Sequence, residues 1–143
     1  MKLDRIVVGV DGSDNATAAV TWAAELAAKT GAEVVAVHAL GLLERFDSEE
    51  PVAAQPNRDE IRQRFETTWC APLTDSGVAK RCVFRDGNPV SVVLAVADEE
   101  DADLVVLGSR GLGGYPEQLL GSTSTQVAQR SHRPVTIVPT GAP

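Results

Sequence analysis

The chain has 143 residues, of which 43% are apolar and only 4% aromatic, and its formal charge is −7. That length suits one domain, and the apolar share suffices for a core built from Val, Leu, Ile and Ala. The acidic balance, with no Lys/Arg run, disfavours phosphate backbones and anionic lipid, so neither nucleic acid nor a membrane is an expected partner.

The opening Met1-Lys2-Leu3-Asp4-Arg5 lacks the organisation of a signal peptide, and no stretch reaches the ~20 apolar residues of a membrane span, which predicts a cytoplasmic protein. Arg5 to Val10 (RIVVGV) reads as a strand buried on both faces, stopping at Asp11-Gly12-Ser13-Asp14. From Asn15 to Lys29 the spacing of Ala16, Ala19, Val20, Ala23 and Ala27 predicts a helix, with Ser13 or Asp14 as N-cap and Gly31 at C′. Glu33 to Leu40 is a second strand. Gly41 to Asp59 mixes acids with Pro51 and Pro56 and reads as a mobile loop within a single domain spanning 1–143. A weaker helix follows from Glu60 to Leu73, ending near Pro72. Ala79 to Arg85 is a third strand. Asn88-Pro89 opens a helix with Pro at N1 and Val90, Val93, Leu94 and Ala97 on one face. Asp103 to Leu107 is the fourth strand, Gly108 to Gly121 a glycine-rich loop, Ser122 to Ser131 the last helix, and Pro134 to Val138 the fifth strand.

This alternation predicts an α/β fold: an open, parallel, five-stranded Rossmann-like sheet, order 3-2-1-4-5, with helices on both faces. Ligands of such sheets sit beyond the carboxyl ends of the strands at the switch point, which the loops at Asp11, Ala39, Asp86-Gly87 and Gly108 would all face. Cys70 and Cys82 fit neither a CxxC redox pair nor a zinc site and read as two reduced thiols.

The sharpest motif is Gly108-Ser-Arg-Gly111, nine residues, then Gly121-Ser122 at the start of a helix. Glycines let the backbone approach an anion, and a helix N-terminus supplies unpaired N–H groups and a favourable dipole. Ser122, Thr123 and Ser124 could bond phosphate oxygens or simply cap the helix. Read generically, the loop also fits a turn that needs small residues, and Asp11 also fits a turn former after a strand. A Walker A loop is excluded because no Gly-Lys-Ser/Thr occurs, and a hydrolase GxSxG fails because Leu107 stands where Gly is required. His38, on a strand, reads as a packing residue rather than a catalyst. His132, at a helix end, suits the dipole there.

Gly-x2-Gly-x9-Gly-Ser after DLVVLGS resembles the nucleotide-binding branch of the universal stress protein family. So do Val-Gly-Val-Asp11-Gly12-Ser13, Ala-Val-His38-Ala39, Asp86-Gly87-Asn88-Pro89 and Arg133-Pro134-Val-Thr-Ile-Val138, giving a likeness from Arg5 to Pro139. The resemblance implies an adenine nucleotide across the strand ends: ATP, with or without Mg²⁺, or AMP or cyclic AMP. Asp11 would contact the ribose or adenosine region, the Ala39 backbone the adenine edge, and Gly87 would leave room beside the base. Gly108, Gly111, Gly121, Ser122 and Thr123 would carry ribose and phosphates, with Val10 and Leu107 at the flanking strand ends. Arg110 is the nearby cation that could meet phosphate, or a solvated loop side chain. Pro116, Glu117 and Thr123 depart from the family pattern. The resemblance and the apolar last strand both point to a homodimer joined through 134–138. The implied function is a nucleotide-dependent stress-response module; the alternative is a slow ATPase or a protein that phosphorylates itself on Ser122, Thr123 or Ser124.

Overall fold

The computed structural model describes residues 2–41, 57–110 and 120–139. Five strands, β1 (Arg5–Gly9), β2 (Glu33–Leu40), β3 (Lys80–Asp86), β4 (Leu104–Gly108) and β5 (Val135–Val138), pair all-parallel in the order β3-β2-β1-β4-β5. The expected fold and strand order are therefore present. Alternate residues of the central strands divide between two cores, which is why β1 reads as a continuous apolar run. Ile6, Val8, Val34, Ala36 and Val106 pack under α1 (Asp14–Thr30), whereas Val7, Val35, Val37, Val105 and Leu107 face the other side.

Helix α1 needs small residues because it lies close on the sheet. Ala16, Ala19, Ala23, Ala24 and Ala27 are all buried. Ser13 is its N-cap, its hydroxyl accepting from Ala16 N at 3.1 Å, and Gly31 ends it at φ 78°. Helix α4 (Pro89–Glu99) and helix α5 (Ser122–Arg130) cover the opposite face through Val90, Val93, Val96 and Val127. The Asn88 side chain caps α4, accepting from Val90 N at 2.9 Å and from Ser91 N at 3.3 Å.

The segment after β2 differs from the expectation. Residues 42–56 of the anticipated loop lie outside the described residues, but Asn57–Asp59 already belong to helix α2 (Asn57–Arg64). The single helix expected to stop near Pro72 is instead three pieces: α2, a π-helical turn over Phe65–Trp69, and α3 (Ala71–Ser76). Pro72 opens α3 rather than closing its predecessor, because proline lacks an N–H that the first turn does not use. The π-turn widens the helix at an aromatic cluster, where Phe65 is fully buried and its ring centroid is 6.5 Å from that of Trp69.

Candidate nucleotide site at the strand ends

The carboxyl ends of β1, β2, β3 and β4 carry the residues singled out from the sequence. Val10 continues β1, its N–H donating to Val37 O at 2.8 Å, and His38 Nδ1 donates to Val10 O at 2.7 Å. His38 is 2% exposed, and Phe65, Trp69 and Phe84 surround its ring with centroids 5.2 to 5.8 Å away. It is thus the packing residue expected, with the added task of fixing the first loop. Asp11 is half-buried, and its Oδ1 accepts from Ser13 N at 2.9 Å and Ser13 Oγ at 2.5 Å. This tight turn aligns the carboxylate at the mouth of β1. It runs through Gly12 at φ 84°, where a Cβ would stand 2.5 Å from the Trp69 indole.

On β2, Ala39 is 7% exposed, and Leu40 O accepts from Gly87 N at 3.2 Å, joining the second and third loops. Gly87 has φ 136° and its added Cβ would meet Val92 Cγ2 at 3.2 Å. On β4, Leu107 is 5% exposed, and Gly108 lies so close to α1 that a Cβ would stand 2.6 Å from the Asn15 carbonyl. Ser109 clamps this approach, its Oγ donating to Asn15 Oδ1 at 2.8 Å and its N–H to Val138 O at 3.1 Å.

Gly121 enters α5 with φ −64° and ψ 163°, its N–H donating to Ser109 O at 2.7 Å. Having no side chain, Gly121 cannot cap the helix, so the first-turn amides of Ser122 and Thr123 stand where an anion's oxygens could satisfy them. Ser122 is exposed, Thr123 half-buried, and Ser124 3% exposed. The expectation that Ser124 could face a phosphate is corrected here. Its hydroxyl points inward, donating to Ser109 O and Gly121 O, each at 3.1 Å, so it pins loop to helix. Arg110 closes the described part of this loop. Gly111, Pro116 and Glu117 lie outside the described residues.

Three features escaped the sequence reading: the His38–Val10 bond, the Trp69 support beneath Gly12, and the Asn15–Ser109 clamp. Each joins residues 28 or more positions apart, and no local motif encodes such a contact. The extra turn offered by the π-helix is likewise invisible to a 3.6-residue period.

A doubly wound parallel α/β domain with a glycine at the start of a helix and a fixed carboxylate at its switch point is a Rossmann-like fold, whose ligands sit beyond the carboxyl ends of the strands. The sequence profile of the universal stress protein family matches residues 2–139, and the chain belongs to that family. It is 31% identical to universal stress protein YxiE of Bacillus subtilis, over 94% of this chain and 98% of that one. It is 35% identical to universal stress protein Rv1636 of Mycobacterium tuberculosis, over 94% and 95%. Among solved structures, a universal stress protein in complex with cAMP superposes with TM-score 0.77 at 30% identity, covering 99% and 100% of the two chains. The Archaeoglobus fulgidus universal stress protein in complex with dAMP superposes with TM-score 0.67 at 25% identity, covering 96% and 99%.

Proposed function

We propose that this chain binds an adenine nucleotide, ATP in the first instance, across the carboxyl ends of β1, β2 and β4, and works as a nucleotide-dependent stress-response module in the cytoplasm. The observation that carries this reading is the meeting of two anion-compatible backbones. Gly108 lies against the start of α1, and Gly121 opens α5 with no side chain of its own to cap the first amides. Asp11 and Val10 hold the ribose side, the Ala39 backbone bonds the adenine edge, and Gly87 leaves room beside the base. Leu107, Gly108, Arg110, Gly111, Gly121, Ser122 and Thr123 take the ribose and phosphates, and Mg²⁺ bound with the nucleotide would neutralise part of the phosphate charge. A ligand of this kind is held by backbone N–H groups, which suits a chain of charge −7 because no cationic field is needed.

The complexes with cAMP and dAMP favour a second reading, in which the ligand is a monophosphate. Mass spectrometry of nucleotide released from freshly purified protein decides between them: ATP or ADP supports the first reading, AMP or cyclic AMP the second, and a nucleotide-free protein that none of the four stabilises thermally contradicts both. Turnover is expected to be slow, well below the ~10 per second of ordinary enzymes. His38 is turned to a backbone carbonyl inside an aromatic shell and Ser124 is committed to two carbonyls, so neither serves a water or an acceptor hydroxyl.

A further inference from the structure

Cys70 and Cys82, unconnected in the sequence reading, meet in the fold with Sγ atoms 3.9 Å apart. Both are free thiols, Cys70 buried and Cys82 half-buried. Cys82 lies on β3, the terminal strand of the sheet, with its side chain partly buried against the core that holds Phe65, Cys70 and Leu73. Cys70 occupies the joint between the π-turn and α3, with φ −97° and ψ 7°, outside the regular dihedrals of either piece. It is the next residue after Trp69, whose indole supports Gly12.

We propose that Cys70 and Cys82 form a thiol-oxidation site at which a hydroperoxide converts the pair to an intramolecular disulfide. The Cys82 thiolate attacks the terminal peroxide oxygen, the O–O bond breaks, and the alcohol, or water from hydrogen peroxide, leaves with a proton. Cys82 becomes a sulfenic acid. Cys70 Sγ then attacks Cys82 Sγ, and the displaced hydroxide departs as water with the Cys70 proton. Two thiols lose two electrons and the peroxide gains them. The sulfurs close by about 2 Å to reach bonding distance, a motion that side-chain rotation and the joint at Cys70 share.

The division of labour follows from the surroundings. The Cys70 S–H facing Cys82 lowers the pKa of that thiol to about 7, burial opposes this, the Lys80 ammonium assists and the Glu66 carboxylate opposes. Cys70 is shifted upward by the same contact and by burial. Cys82 is therefore the attacking thiolate and Cys70 the protonated resolving thiol. The oxidation chemistry stands apart from nucleotide binding.

The test treats the full chain, dilute and without nucleotide, with excess hydrogen peroxide, followed by thiol titration, intact mass and a non-reducing gel. Both thiols should disappear, the mass should fall by two hydrogens, the chains should stay uncrosslinked, and dithiothreitol should reverse the change. In Cys70→Ser, Cys82 should gain a single oxygen that dimedone traps. Cys82→Ser should react at least tenfold more slowly than wild type. The wild-type rate should climb as the pH is raised through about 7. Two titratable thiols surviving in the wild type, disulfides only between chains, or Cys82→Ser reacting as fast as wild type would each overturn the proposal.

Discussion

Gly12 and Gly31 both sit in left-handed conformations, at φ 84° and φ 78°, but their surroundings differ. Nothing lies within 4 Å of a Cβ added at Gly31, whereas one at Gly12 would collide with Trp69. Gly31→Ala should therefore cost only the backbone term, about 1–2 kcal/mol. Gly12→Ala should cost more, through the added overlap of about 1–3 kcal/mol. Urea unfolding of both variants checks the order, and equal losses would show that the Trp69 contact yields freely. Gly108→Ala has no positive φ to violate, so its cost is the push on Asn15 alone, again about 1–3 kcal/mol, together with a displaced start of α1. Asp103 offers a pH test. Its carboxylate accepts from Asp4 N at 2.8 Å and Arg5 N at 3.0 Å, and these amides hold its pKa below the ordinary carboxylate value. A lowered folded pKa stabilises above the unfolded value and is lost as the pH falls through the folded one. Asp103→Asn should be less stable than wild type at pH 7, with the gap closing below about pH 3.9. A gap independent of pH would contradict this.

At the scale of elements, β5 is the terminal strand, and among the described residues no strand pairs with its outer side. Thr136 and its even-numbered neighbours direct their backbone groups to β4, as Val105 N to Pro134 O at 2.9 Å and Ser109 N to Val138 O at 3.1 Å show. By alternation the backbone N–H and C=O groups of Val135 and Ile137 face the outer edge, while their side chains pack on the core. We infer a homodimer through this edge, and Ile137→Pro, which deletes an outward amide while keeping the β4 ladder, should sediment as a monomer where wild type sediments as a dimer. A wild-type monomer at micromolar concentration would remove the premise. The elements themselves were readable wherever a local signal was strong. RIVVGV and EVVAVHAL are apolar runs, Ser13 and Gly31 bracket α1, and Asn88-Pro89 starts α4 in both readings. The stretch from Asn57 to Ser76 was read less well, because its course depends on packing. Phe65 and Trp69 reach His38 through a π-turn, and Pro72, a residue that can end one helix or begin another, here begins α3. The site was legible in its residue types, through Asp11, Gly108 and Gly121. What anchors those residues was not, because His38, Trp69 and Asn15 act across the fold.

At the scale of the whole molecule the two ends of the sheet are built differently. The amino ends of the strands carry a lattice of ion pairs, with Arg5–Glu33 at 3.2 Å, Arg81–Glu33 at 3.0 Å and Arg81 also paired to Glu100. These side chains are 20–46% exposed, so solvent screens the pairs and each adds little to stability. The carboxyl ends carry Gly87, Gly108 and Gly121, a helix start with no capping side chain of its own, and the Asp11 carboxylate held by Ser13. No helix among the described residues is long and apolar enough to cross a membrane. The central claim, an adenine nucleotide with its phosphates at the start of α5, is tested most directly by isothermal titration of ATP into the wild type and Gly121→Val. The backbone at Gly121 is one valine adopts without strain, with φ −64° and ψ 163°, so the variant should fold, while its branched side chain fills the space before the helix. Saturable one-site binding to wild type is expected, with at least a tenfold loss in the variant and unchanged circular dichroism. Equal binding by both proteins, or no binding of ATP, ADP, AMP or cyclic AMP to wild type at millimolar concentration, would contradict it.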